Sequence, residues 1–335
     1  MLTYTEAPTT AAVIAALGRV FLRRDAHAMG LSRDEVRWRI DRDGWYAPFR
    51  GVVVIPRNPK DLPSLRRRAA LLRAGDDSIL SHVAALAEYD FLVPEAPVDV
   101  SHSAGRVTPD AGLRLHRRSQ RPHLVRDGVR LVPVAEGVVG AFVVVRDDNW
   151  RKSFICEAVR RRRCTPEQLL TEADRHGNFN GRRRFLRLVE LAELGCHSPI
   201  EVDHFELVEE PYGLPRASRQ RQRERDGRVE FSDLEYEEEE FISELDGRDH
   251  HNDDQARRND LHRDIATSRE GKLTVRFTGR DIRERPAWVA AAQHDILSVR
   301  RGQRGLPPMP PLREPKPPRQ PRPPRQPRPP RRPAE

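Results

Sequence analysis

The chain has 335 residues, 33% of them charged and 37% hydrophobic, and since single cores rarely grow beyond about 250 residues, it is long enough for two or three domains. Its net charge of +9 is localised: from Arg300 to Glu335 there are 11 Arg and Lys against Glu314 and Glu335, so residues 1 to 299 sum to zero and the high pI does not argue for a basic body. Cys156, Cys164 and Cys196 are too few and too scattered for a disulfide framework or a four-thiolate zinc site, no signal-peptide pattern opens the chain, and the longest apolar run, Val138 to Val145, is too short to span a bilayer, so the expectation is a cytoplasmic protein with no membrane contact.

In chain order, residues 11 to 22 have the apolar density of a buried helix. Asp25 to Met29 followed by Gly30 reads as a short helix and a tight turn, and Ser32-Arg33-Asp34-Glu35 fits a capping box that opens a further helix to about Ile40. Val36 and Ile40 are four apart and face the core, which turns Arg33, Arg37 and Arg39 outward. Gly44-Trp45-Tyr46 and Arg50 to Ile55 then read as a β-hairpin wing. Two readings of the arginines stand side by side, DNA contact in a groove or simple solvation. The order Gly30-Leu31-Ser32, helix Asp34 to Arg42, Arg50-Gly51-Val52 resembles the winged-helix N-terminal domain of AbiEi-type antitoxin regulators. That resemblance implies a winged-helix domain over residues 1–58 with Arg33, Arg37, Arg39 and Arg50 at DNA.

Residues 59–195 form a mixed α+β region whose chemistry the sequence does not disclose. Arg66 to Ala74 and Ile79 to Tyr89 are predicted helices, and Val98 to Ser101 and Leu113 to His116 predicted strands. Val129 to Val134 and Val138 to Val145 are rich in β-branched residues and are predicted as buried strands. Phe154 to Arg163, Pro166 to Arg175 and Arg182 to Leu194 read as helices. Ser81-His82, with no acidic residue close in sequence, reads as a capped helix start with a packing role.

Chemistry-bearing residues concentrate further on. Ser198-Pro199-Ile200-Glu201 reads as a capped helix start that sets Glu201 on the first turn. Two strands follow around the acidic run Glu237 to Glu240, itself a solvated turn. By the period of two, Val229, Phe231 and Asp233 share one face of the first, and Ile242, Glu244 and Asp246 one face of the second. Paired as a hairpin they bring Asp233 to Glu244. Converging carboxylates repel unless a cation lies among them, and an oxygen-only set suits Mg²⁺ or Mn²⁺. Asp253 to Ser268 reads as a charged helix, Leu273 to Phe277 as a buried strand and Arg283 to Ser298 as a closing helix. Lys272 reads as a solvated turn residue.

The elements S-P-I-E at 198 to 201, D-L-E-Y-E-E at 233 to 238, E-L-D-G-R at 244 to 248, the histidines at 250 and 251, R-R-N-D at 257 to 260 and L-T-V-R-F at 273 to 277 resemble the endonuclease-like domain related to very-short-patch-repair nucleases and the PD-(D/E)xK superfamily. The resemblance covers roughly residues 196–299 and implies a restriction-endonuclease-like α/β core. It assigns Glu201, Asp233 and Glu244 to a metal, with Asp246 beside them. The family's spacing of 11 to the glutamate selects Asp233 over Glu230. Asp246 stands where such enzymes have lysine, and the histidine of the very-short-patch type makes His250 or His251 the base or phosphate ligand. Arg257 is left with phosphate contact or a salt bridge.

From Gly305 the chain repeats P-R-P-P-R-Q and holds 14 of the 29 prolines, which predicts a disordered tail over residues 300–335 able to attract phosphate backbones. The fold expected is thus multi-domain α/β. The two resemblances imply two alternative functions: a DNA-binding protein with Mg²⁺-dependent endonuclease activity, or a non-enzymatic regulator of a type IV toxin-antitoxin pair that meets DNA and a cognate toxin.

Overall fold

The structure is a computed structural model describing residues 8–103, 108, 110–117, 122–225, 228–246 and 265–315, without the side chains of 223–225 and 228–230. Among the described residues the fold is mixed α/β with three sheets. The chain divides into two compact units after Val202.

The first unit begins with α1 (Thr10–Leu17), whose N-cap Thr9 accepts from the Ala12 N–H. Gly18 at φ +75° ends this helix, so the helix expected over residues 11 to 22 is shorter, and Val20–Leu22 forms strand β1. The reason is tertiary: β1 pairs antiparallel with β2 (Val52–Val54), and Tyr46 bridges Val54 on the far side. Between them lie α2 (Arg23–Ala28), a turn through Gly30 at φ +96°, and α3 (Arg33–Arg42). The Ser32/Glu35 capping box is present in full. Val13, Phe21, Ala26, Leu31, Val36, Trp45, Val53 and Ile55 form one core, with Ile40 packed against it.

The unit continues with α4 (Leu62–Ala74), β3 (Ser78–Leu80), α5 (His82–Glu88), β4 (Val98–His102), β5 (Leu113–Arg117), β6 (Leu124–Arg126) and β7 (Val129–Leu131). The five strands make one mixed sheet in the order β5-β4-β3-β7-β6, with β4 parallel to β5 and β3 parallel to β7. Ile79 therefore belongs to a strand, and the helix expected from it starts at His82. Ser81 is extended at that N-cap but makes no side-chain cap bond, which corrects its reading as a capping residue.

The second strand expected, Val138 to Val145, is instead part of helix α6 (Val134–Val144). Its middle, Gly137 to Phe142, is buried without a break, so its apolar residues show no period there. Gly137 and Gly140 lie on its face toward α5. A Cβ on Gly137 would stand 3.2 Å from Leu86, and one on Gly140 would stand 2.8 Å from the His82 ring. Helices α7 (Asp148–Arg160), α8 (Pro166–His176), with a Thr165/Gln168 capping box, and α9 (Arg182–Glu193) complete the layer. Phe142 meets Phe179 and Phe185 edge to face inside it.

The division falls within α10 (Pro199–His204). The second unit continues through a π-turn (Phe205–Glu209), α11 (Glu210–Tyr212), β8 (Ser218–Arg225), β9 (Arg228–Tyr236), β10 (Phe241–Asp246), β11 (Leu273–Thr278), α12 (Gly279–Glu284) and α13 (Pro286–Gln303). Its sheet has the order β11-β10-β9-β8, antiparallel from β8 to β10 and parallel between β10 and β11. One face packs on α13, where Gln293 donates to Ser243 Oγ at 2.9 Å.

Three expectations change here. Strand β11 is largely exposed, with Phe277 its buried residue, because it lies at the edge of the sheet. The acidic turn is not simply solvated: Arg300 and Arg304 pair with Glu240, Arg301 with Glu239 and Arg221 with Glu237. The first part of the tail is held, since the Arg313 N–H donates to the Tyr212 carbonyl at 2.9 Å and His294 Nε2 bonds the Pro310 carbonyl at 3.0 Å. The expected helix from Asp253 falls mostly on residues 247–264, outside the described residues, as does the tail from 316.

Candidate nucleic-acid interface and carboxylate site

Helix α3 separates its arginines by their position on the helix. Arg33 is exposed, and Arg37 is 81% exposed with Asp41 the carboxylate nearest it at 3.9 Å. The indole of Trp38 is exposed on the same helix. Arg39, one turn beyond Val36, turns inward and is only 14% exposed. Its Nη1 donates to Thr10 Oγ1 at 2.9 Å, its Nη2 to the Pro8 carbonyl at 2.9 Å, and its guanidinium lies 5.2 Å over the Trp45 ring. The outward placement expected for all three arginines therefore holds for Arg33 and Arg37 and not for Arg39, which ties α3 to α1. Arg50 is exposed, and its backbone N–H donates to Asp110 Oδ2 at 2.8 Å. That bond, with Arg73 as a second donor, holds the Asp110 carboxyl below its usual range.

In the second unit β9 and β10 pair with Phe241 opposite Tyr236, Ile242 opposite Glu235 and Ser243 opposite Leu234. One further step in this register sets Asp233 against Glu244, the juxtaposition the alternation predicts. Asp233 Oδ2 accepts the Leu245 N–H at 2.8 Å and so caps the end of the ladder. On the other side of β10, Glu244 is level with Arg276 and Asp246 with Thr278. Asp233, Glu235, Glu244, Asp246 and Arg276 thus occupy one face of the sheet. The opposite face carries Leu234, Tyr236, Phe241 and Leu245, all buried.

Lys272, read from sequence as a solvated turn residue, donates from Nζ to Glu235 Oε1 at 2.8 Å, and the Glu235 side chain is 1% exposed. This pair was missed because Lys272 lies 37 residues from Glu235. The parity that puts position 272 on the same face as 274 and 276 was the available signal. Glu201, at the end of the first unit, has both carboxylate oxygens engaged locally: Oε1 accepts from Ser198 Oγ at 2.7 Å and Oε2 from the His197 N–H at 3.2 Å. It closes the cap of its own helix.

Among the described residues no group of three or more His, Cys, Asp or Glu is arranged to hold a metal ion. His250, His251 and Arg257 lie outside the described residues. Among the described residues no helix is long and apolar enough to cross a membrane. No family model matches this sequence, and no curated protein matches it.

Proposed function

We propose that the protein binds DNA through α3 and hydrolyses phosphodiesters at Asp233 and Glu244 with a hard divalent ion, Mg²⁺ or Mn²⁺. The observation that carries this reading is the juxtaposition of those two acids on neighbouring strands of the four-stranded sheet. Their donor set fits such an ion. It is oxygen-only, and Mg²⁺ is ordinarily held by one or two carboxylates, with waters and substrate phosphate filling the remaining positions. When bound, the ion polarises the phosphodiester and activates water. Asp246, two residues beyond Glu244 on the same face, is the nearest further carboxylate along β10. Arg33 and Arg37 offer guanidinium groups to the phosphate backbone. The resemblance to very-short-patch nucleases adds His250 or His251 as the base and Arg257 as a phosphate ligand.

The test is incubation of the protein with nicked, mismatched and single-stranded DNA in Mg²⁺ or Mn²⁺. Cleavage is expected, and Asp233→Ala and Glu244→Ala should each remove it. Absence of cleavage by the parent, or its survival in both variants, overturns the enzymatic reading.

A second reading has its own support, since Asp233 already accepts a backbone N–H and Glu201 is committed to its helix cap. In it the second unit is a scaffold, and the protein is a non-enzymatic regulator of the antitoxin type that binds its own promoter and a cognate toxin. Retention of a promoter fragment without cleavage, weakened by Arg37→Ala, favours this reading.

A further inference from the structure

The first unit contains a cleft of about 490 Å³ between the β4–β5 edge and helices α5, α6 and α8. Ser81, His82, Ser101, His116 and His176 line it, and none of them belongs to the DNA-facing helix or the carboxylate sheet. Ser101 Oγ–H donates to Ser81 Oγ at 2.8 Å, and Ser81 Oγ stands 2.9 Å from His82 Nδ1. The His82 and His116 rings are stacked, with centroids 3.7 Å apart and planes 16° from parallel. Behind them His116 Nε2 bonds Oδ1 of the fully buried Asp99 at 2.8 Å, and Arg114 approaches the same oxygen at 3.3 Å. His82 sits at φ +50°, a left-handed conformation that a histidine holds only when its surroundings impose it.

A Ser-His pair in a cleft suggests a nucleophile with its base, and the electrostatics decide against that role. Burial first, and then His116, His176 and Arg114, push His82 down to about 2. A base that weak cannot take the Ser81 proton near neutral pH, where general bases act best with pKa values near the working pH. A neutral His82 has one donor and one acceptor nitrogen. In the tautomer in which Ser81, accepting from Ser101, donates its own O–H to Nδ1, the imidazole hydrogen lies on Nε2. Among the described residues no protein group accepts it. Gly140 flanks that nitrogen, and a Cβ there would stand 3.1 Å from it, so the missing side chain keeps the approach open.

Charged groups of both signs surround the cleft. Arg117 joins His176 on the lining, Arg114 lies behind it, and Glu136 from the first turn of α6 is the carboxylate among the described lining residues. A cleft that presents a lone N–H donor, hydroxyls and the Arg117 guanidinium offers an oxyanion several hydrogen-bond donors at once. We infer that this cleft binds a small molecule carrying an oxyanion group, phosphate or carboxylate, which accepts the His82 Nε2–H and is held by the Arg117 guanidinium and the His176 ring on the same lining.

The test uses the full-length protein with ¹⁵N-labelled histidine, titrated separately with inorganic phosphate, acetate and sodium chloride while the imidazole resonances are followed. Phosphate or acetate should shift the His82 Nε2–H signal saturably, and whichever anion does so identifies the ligand's headgroup. Arg117→Ala and His176→Gln, both outside the packed core, should weaken that midpoint about tenfold, equal to about 1.4 kcal/mol of binding. The remaining histidine signals report that each variant is folded. No saturable response to either oxyanion, an equal response to chloride, or a midpoint unchanged in both variants overturns the inference.

Discussion

His204 gives the second unit an acid sensitivity whose size can be worked out. Its side chain is fully buried next to the π-turn, Nε2–H donates to Gln293 Oε1 at 3.0 Å, and Gln293 Nε2 passes the chain on to Ser243 Oγ at 2.9 Å. Nδ1 is buried with no partner among the described residues, so a second proton would enter a site with nothing to receive it. Burial holds this imidazole down to about 4 from its ordinary 6.5, opposed by the Gln293 bond and aided by Arg219. The folded value lies below the unfolded one, so the unfolded chain binds the extra proton first. The stabilisation is therefore complete above the ordinary value and is lost as pH falls from there toward the folded value. At about pH 5, some 1.5 units below the unfolded value, the loss amounts to about 2 kcal/mol.

The assay is hydrogen exchange of the β10 and α13 amides, corrected for intrinsic rates, in the parent and in His204→Gln. The variant keeps an amide donor for Gln293 and removes the titration. The opening free energy should fall by about 2 kcal/mol in the parent between about pH 7 and pH 5 and stay nearly flat in the variant. Parallel pH slopes in the two proteins would refute the assignment to His204.

The helix arginines should separate stability from binding. Arg39→Ala is expected to destabilise the first unit by about 2 kcal/mol in urea unfolding, since it removes charged hydrogen bonds to Thr10 and the Pro8 carbonyl. Arg37→Ala should stay within about 0.5 kcal/mol of the parent yet lower the salt slope of duplex binding by about one. Lys272→Met should cost about 3 kcal/mol because Glu235 is left in its buried site without this cation, and Glu235→Gln with Lys272→Met should recover much of it in a double-mutant cycle. Gly140→Ala drives a methyl to 2.8 Å from the His82 ring and should lower stability by about 1–3 kcal/mol, read by thermal melting.

The features legible in the sequence were those fixed by near neighbours. The Ser32/Glu35 box and the start of α8 at Pro166 depend on contacts three residues apart, and both were readable. So was the antiparallel pairing of the strands that carry Asp233 and Glu244, because a tight turn between two alternating strands leaves few registers open. What failed to show depended on distant partners. Val20 to Leu22 is apolar enough for a helix and becomes a strand only because Val52 to Val54 lies beside it. The run from Val138 has no exposed face to betray its period. The Asp99–His116 pair arises from the parallel alignment of β4 and β5, and no hairpin rule anticipates that register. Arg39 looked like its neighbours until Thr10 and Trp45 claimed it.

The β9–β10 hairpin also shows how residues far from a candidate site can fix the placement of its side chains. A slip of one residue between β9 and β10 would send Asp233 or Glu244 to the buried face. Stacking of Tyr236 on Phe241, at 5.6 Å and 13°, secures the hairpin next to its turn. Arg300 and Arg301 then fasten the turn itself through Glu240 and Glu239, and Arg300 also donates to the Glu239 carbonyl at 2.7 Å. The glutamates of the turn are thus register pins, Glu239 and Glu240 neutralised by the end of α13 and Glu237 by Arg221 of β8, while Asp233 and Glu244 each lie four residues from the turn, beside the Asp233 bond to the Leu245 N–H. Like charges brought onto neighbouring strands oppose the pairing, and the clamp at the turn, together with Arg276 level with Glu244, acts against that repulsion.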